Sequence, residues 1–202
     1  MTSRNDEFRR DFEAGLRSYF SACGALLQGH FLLSSGLHSP SYAQCALALK
    51  NPAKAAEMAA ELRARWRGTE PDLILSPAMG GLIIGHETAR AFGVDFLFTE
   101  RVDGKMTLRR GFELKKNSNL IIVEDVFTTG RSTRETAAAA AERGARVIGA
   151  MSVIDRMGTG EKLDFPSLSL LRMDLTLYKP ENCPLCAQKL PLVKPGSRDK
   201  ML

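Results

Sequence analysis

The sequence predicts an α/β fold, an open parallel sheet flanked by helices, and two observations carry that expectation. Short apolar runs of buried-strand length at 72–75, 94–99, 120–123, 146–154 and 168–177 alternate with stretches of helix formers, the pattern of repeated strand–helix–strand units. Glycine- or hydroxyl-bearing loops follow several of these runs, and open parallel sheets bind ligands at the carboxyl ends of their strands.

Taken in order, Phe8, Phe12, Leu16, Tyr19 and Cys23 recur at helical spacing and predict an amphipathic helix over 6–23. Residues 24–49 hold two extended stretches around the turn-rich SSGLHSP at 34–40. Asn51 and Pro52 read as an N-cap and first-turn pair opening a helix to about residue 67, which Gly68 ends. The strand at 72–75 runs through SPAMGG into an apolar helix over 82–92, and a strand that ends in a glycine-bearing loop is a candidate anion site. Beyond the strand at 94–99, the segment ERVDGKMTLRRGFELKK, 100–116, is basic, contains glycine and lacks apolar cover. It is expected to be a mobile loop able to close on an anion, with a solvated hairpin as the alternative.

The most informative stretch is LIIVEDVFTTGRST, 120–133: an apolar strand, two acids, then a hydroxyl- and glycine-rich turn opening an alanine-rich helix over 134–143. Thr128, Thr129, Ser132 and Thr133 supply hydroxyls, Gly130 permits close backbone approach, and a helix start offers unpaired N–H groups and a positive dipole end. A phosphate monoester fits there. Glu124 and Asp125 repel phosphate but accept hydrogen bonds from vicinal hydroxyls, so the ligand implied is a ribose 5-phosphate group. The strand at 146–154 ends in Asp155-Arg156, where an arginine can grip a carboxylate bidentately.

Composition narrows the class. With 202 residues, 44% of them hydrophobic, and no run approaching membrane-spanning length, the chain is expected to be one globular domain with no membrane partner. The first ten residues lack the apolar core of a secretory signal, which makes the cytoplasm the expected compartment. A net charge of +5 could suggest nucleic acid, but the basic residues are scattered, and small polyanionic ligands account for the balance without it. Cys23, Cys45, Cys183 and Cys186 are too few and too unevenly placed for a disulfide framework. His30 and His38 have no partner ligand at workable spacing and are expected to be ordinary loop histidines. Cys183-Pro-Leu-Cys186 supplies only two ligands, and a complete site would need Cys23, Cys45 or a second chain; a reduced structural pair with no metal is expected. It lies in a Pro- and Lys-rich tail, 178–202, expected to be extended.

The string 120–133 resembles the phosphoribosyl diphosphate (PRPP) signature of type I phosphoribosyltransferases. The pattern carried by Phe31, Leu33, Ser35, Gly36, Ser39 and Tyr42 is similar to a segment near the start of orotate phosphoribosyltransferases. The resemblance spans nearly the whole chain and implies a single type I phosphoribosyltransferase-like domain, 1–202, in which residues 1–50 contribute a small N-terminal hood. It implies transfer of the 5-phosphoribosyl group from PRPP to orotate, giving orotidine 5'-monophosphate and diphosphate in pyrimidine synthesis. PRPP would be bound by Glu124, Asp125, Val126, Phe127, Thr128, Thr129, Gly130, Arg131 and Ser132, with Ala78, Met79, Gly80 and Gly81 at the diphosphate. Relatives carry a lysine where this chain has Gly80, and lysine and histidine where it has Val102 and Thr107. Orotate would meet Thr128, Arg156 and Tyr42, while Lys105 and Arg101 from the basic segment would act in catalysis with Glu124 and Asp125. The resemblance further implies Mg²⁺ bound largely through PRPP, and a homodimer with a shared active site. A purine phosphoribosyltransferase and a PRPP-binding regulator without turnover remain as alternatives.

Overall fold

The computed structural model describes residues 4–33, 35–158, 160–174 and 176–195. Helix α1 spans Arg4–Ala22, strands β1 and β2 span Leu26–Leu32 and His38–Ala43, and helices α2 and α3 span Cys45–Leu49 and Pro52–Arg65. Then come β3 at Leu73–Pro77, α4 at Gly81–Phe92, β4 at Asp95–Val102, β5 at Lys105–Leu108, β6 at Asn119–Phe127 and α5 at Arg131–Ala141. The chain continues through β7 at Arg146–Asp155, β8 at Ser167–Arg172, the one-turn helix α6 at Pro184–Ala187 and β9 at Leu192–Val193.

Two compact units result, one built from 1–48 with 174–202 and the other from 49–173. In the second, six strands form a sheet of order β5-β4-β3-β6-β7-β8. All neighbours are parallel except the β4–β5 pair, as expected when helical crossovers join strands. The central strands carry continuous apolar runs because both faces are covered: Ile74, Leu75, Leu120, Ile121, Ile122, Val123, Ala150 and Met151 are completely buried. Local chemistry sets the helix ends. Asn51 caps α3, its side chain accepting from Ala53 N at 3.0 Å and Lys54 N at 3.3 Å. Helix α4 stops at Gly93, whose φ of +73° only glycine adopts cheaply. Helix α3 ends at Trp66, before the Gly68 expected to end it.

In the first unit α1 buries Leu16 and Phe20, and a three-stranded sheet of order β2-β1-β9 joins the N-terminal hairpin to the tail. Two expectations are corrected here. His30 and His38 are not loop histidines: they lie on β1 and β2, buried to 3% and 4% exposure, with His30 Nε2 2.8 Å from His38 Nδ1. The tail is not simply extended, since a 3-10 turn at Pro180–Asn182, α6 and β9 shape it; its end, 196–202, lies outside the described residues. No helix among the described residues is long and apolar enough to cross a membrane.

Candidate active site

Strand β6 carries the acid pair within it, not after it, because the ladder with β7 continues through Glu124↔Ser152 to Phe127↔Asp155. Adjacent strand residues point to opposite faces, and the two carboxylates accordingly meet different surroundings. Glu124, 6% exposed, accepts hydrogen bonds from Ser132 Oγ at 3.0 and 3.1 Å on its two oxygens, and another from Thr133 Oγ1 on Oε1. Burial pushes its pKa up to about 7 against the pull of the Thr133 and Ser132 hydroxyls, with the neighbouring Asp125 charge adding to the rise.

Asp125 takes the Val126 N–H on Oδ1 at 2.9 Å, and burial raises its pKa against that backbone hydrogen bond. The loop 78–81 lies directly against it. A Cβ built on Gly80 would stand 2.5 Å from Asp125 Oδ1 and 2.8 Å from Oδ2, and one on Gly81 would stand 2.7 Å from the Val123 carbonyl. The missing side chain at Gly80 therefore reflects space: the loop approaches the acid too closely for any Cβ to fit without displacing the carboxylate. The Ala78–Met79 peptide is cis, and Met79 is 80% exposed.

The turn after β6 leads into α5 as the sequence predicts, and one of its hydroxyls points elsewhere than expected. Thr128 and Thr129 are exposed, and Gly130 holds φ at +68° with no side-chain cap on α5. Thr133, expected among the phosphate hydroxyls, is completely buried and directed at Glu124, as Ser132 also is. Both hydroxyls hold the acid in place. Phe127, expected to line the PRPP site, has its side chain in the core at 1% exposure, so its backbone is what it offers a ligand. Arg134, which the sequence reading missed, braces the turn: Nη1 donates to Thr129 O at 2.8 Å and Nη2 to Lys162 O at 2.7 Å.

The segment 100–116 is a hairpin rather than an uncovered loop. Strands β4 and β5 pair antiparallel as far as Val102↔Lys105 around Asp103 and Gly104, with φ of 47° and 81°, the left-handed pair that a two-residue hairpin turn requires. Leu108 is buried, Phe112 and Leu114 pack on the core, and Arg110 grips Glu100 through two hydrogen bonds of 2.9 and 2.8 Å. That grip lowers the Glu100 pKa and raises that of Arg110. Arg101 donates to Gly104 O at 2.6 Å and pairs with Glu135, which also accepts from Arg131 at 2.7 Å. Glu135 was another miss, although its i,i+4 spacing from Arg131 was a signal in the sequence. Lys105 is exposed beside the turn.

Arg156 lies just past β7, half-buried, its N–H donating to Phe127 O at 2.8 Å. This ties it to the end of β6. The ion pair at this strand end is made by its neighbour Asp155 with Arg172, at 2.6 Å. Tyr42 lies on β2 in the first unit, its ring centroid 5.9 Å from that of Phe31.

Residues 48–177 match the model of the phosphoribosyl transferase domain. The chain is 46% identical over 179 residues to an orotate phosphoribosyltransferase of Pelotomaculum thermopropionicum, covering 89% of this chain and 94% of that one. It is 49% identical over 179 residues to one of Carboxydothermus hydrogenoformans, covering 86% and 92%. The crystal structure of orotate phosphoribosyltransferase from Aeropyrum pernix shares the fold with a TM-score of 0.63 at 22% identity, covering 78% of this chain and 93% of that one.

Proposed function

The chain belongs to the orotate phosphoribosyltransferase family, and we propose that it transfers the 5-phosphoribosyl group of PRPP to orotate, releasing diphosphate, as a cytoplasmic step of pyrimidine synthesis. The observation that carries this reading is the end of β6, where a buried Glu124 and a half-buried Asp125 stand between a glycine loop and the hydroxyl-rich start of a helix. In this assignment the backbone N–H groups at the start of α5, Ser132 N–H among them, with the Thr128 and Thr129 hydroxyls, take the 5'-phosphate. Glu124 and Asp125 accept hydrogen bonds from the ribose hydroxyls.

The reaction forms the bond from an orotate ring nitrogen to the anomeric carbon as the bond from that carbon to the diphosphate oxygen breaks, the electron pair leaving with diphosphate and the proton of that nitrogen passing to solvent. Positive charge builds on the ribose. Two carboxylates fixed in advance by Ser132, Thr133 and the Val126 amide stabilise that charge without having to reorganise. The loop 78–81 holds the diphosphate, and Arg101 and Lys105 from the β4–β5 hairpin compensate its growing charge. The oxygen donors at the end of β6 suit Mg²⁺, which would reach the site largely on PRPP oxygens with retained waters and neutralise the leaving group. Arg156 takes the orotate carboxylate. The chain acts as a homodimer in which Lys105 serves the site of the partner subunit, so that both sites are composite.

A steady-state assay with PRPP and Mg²⁺ tests the reading. Orotate is expected to be consumed, and adenine, hypoxanthine and uracil are not. Turnover of adenine or hypoxanthine instead would point to a purine enzyme, and PRPP binding with no base consumed would point to a regulator.

A further inference from the structure

His30, His38, Cys183 and Cys186 converge in the first unit although the sequence keeps them far apart. Their ligand atoms all lie within 4.8 Å of one another, three of the residues being buried and Cys186 exposed. We propose that these four side chains form a structural zinc site that fastens the C-terminal segment to the β1–β2 hairpin. The site lies outside the assigned catalytic machinery, so the proposal does not depend on the function argued above.

The chemistry of the donor set comes first. Two imidazoles and two thiolates are the ligands of closed tetrahedral zinc sites, and with Zn–S near 2.3 Å and Zn–N near 2.05 Å the N···S edges of the tetrahedron measure about 3.6 Å. Cys183 Sγ and Cys186 Sγ lie 3.6 and 3.7 Å from His30 Nε2, and Cys186 Sγ lies 3.3 Å from His38 Nδ1. The histidine nitrogens, 2.8 Å apart, need to separate by only about 0.5 Å to span the N···N edge. Both cysteines are free thiols.

A second, independent feature is the ring orientation of His30. Its Nδ1 lies 2.9 Å from the Leu190 carbonyl, a partner that only an N–H can satisfy. This puts the proton on Nδ1 and turns the Nε2 lone pair to the cluster, the outer hydrogen bond that metal-binding histidines commonly make. The carbonyl belongs to the segment the metal would secure.

Energetics explain why a clamp is needed there. Helix α6 has one turn and buries no residue, and the described part of the tail meets the hairpin through the two-residue strand β9, the His30–Leu190 hydrogen bond and an isolated bridge from His38 to Tyr178. Little apolar burial supports this segment, and small segments of that kind depend on staples. Four protein ligands leave no open position for substrate, which makes the role structural. His38 and Cys183 are about 145 residues apart along the chain, and clips that close long loops remove the most entropy from the unfolded state.

Tag-free protein prepared under reductant without chelator should hold one zinc per chain by elemental analysis, or take up one on reconstitution after chelation. Reconstitution with Co²⁺ should give the strong visible bands of a tetrahedral thiolate complex. Cys186→Ser, at an exposed position that spares the fold, and His38→Ala should each reduce zinc well below one per chain and remove or alter those bands. Chelation should speed hydrogen exchange across 178–195 more than across β6 and β7. Metal that stays far below stoichiometry after reconstitution, or stoichiometric metal retained in both variants, overturns the proposal. Unchanged exchange across 178–195 in metal-free protein overturns the fastening role.

Discussion

Glu124→Gln should stabilise the unliganded protein above neutral pH while damaging its chemistry. In the folded chain burial holds the Glu124 carboxyl at about 7 against an ordinary value of 4.5. Between those values the folded state keeps a proton that the unfolded chain has lost, so stability falls as pH rises through that window. At about 1.36 kcal/mol per pH unit, the full cost is on the order of 3 kcal/mol well above pH 7 and vanishes well below pH 4.5. Glutamine cannot ionise and avoids this cost, although its amide shares the Ser132 and Thr133 hydroxyls less well, a loss independent of pH. Urea denaturation of both proteins at pH 5, 6, 7 and 8 separates the two effects, since groups common to both cancel in the difference. Stability of the variant relative to wild type should rise by roughly 2 to 3 kcal/mol from pH 5 to pH 8. A flat difference over that range, or one that falls, would refute the claim that Glu124 is held near neutrality by burial. The same ionisation favours the sugar hydroxyls that replace water around it, so PRPP affinity should rise with pH more steeply in wild type than in the variant.

Asp125→Asn should leave the fold intact and reduce turnover on the order of 10²-fold or more, as expected for a fixed charge beside the reacting centre; a folded variant with wild-type turnover would make the acid structural only. Gly80→Ala should retain its circular dichroism because φ and ψ there are ordinary, −58° and −41°. Its Cβ must displace the Asp125 carboxylate, and a shift near 1 Å at a reacting centre can cost about 10²-fold in turnover; full activity would show that the loop gives way instead. Arg156→Ala should raise the Michaelis constant for orotate by about 10- to 100-fold, from a lost charged hydrogen bond of roughly 1.5 to 3 kcal/mol. An equal rise for PRPP would mean that Arg156 supports the strand end. Mixing Lys105→Ala with Asp125→Asn chains should restore activity as heterodimers form, and heterodimers that stay as poor as the separate variants would show that Lys105 acts within its own chain.

The strand, turn and helix start of 120–133 were legible because they are built from consecutive residues, so that local structure and sequence order coincide. The limits of that reading are also physical. Thr133 looks like Thr128 in one dimension, but the helical turn between 128 and 133 rotates its hydroxyl to the sheet, where it meets Glu124. The hairpin at 100–116 stood only as the alternative to a mobile loop because charge dominates its composition, although Asp103-Gly104 is a strong two-residue turn signal. Phe98, Leu108 and Phe112 supply the apolar cover on one side: the Phe98 and Phe112 rings stack edge to face with centroids 5.2 Å apart, and Arg110 lies over Phe98. The proximity of Gly80 to Asp125 had no sequence signal, because it depends on β3 and β6 being neighbours, a fact of topology.

The histidine–cysteine cluster shows where spacing arguments fail and what can replace them. Ligand spacing in sequence is informative when one loop supplies the ligands, and His30 and His38 were set aside on that test. Strand register supplies the missing step. The pairs Phe31↔Ser39 and Leu32↔His38 place His38 opposite a residue two positions along β1 from His30, and residues two apart share a face. A diagonal pair of that kind is within reach of long side chains. His30 also pairs with Leu192 of β9, so the strand that carries one histidine also anchors the segment carrying the two cysteines. The hairpin sets the face, and two histidines on that face, with a Cys-x-x-Cys in the segment that leads into β9, bring four ligands together. The sequence shows neither the register irregularity between Gln28 and Phe31, within which His30 lies, nor the β1–β9 pairing, because two residues of parallel ladder carry no pattern.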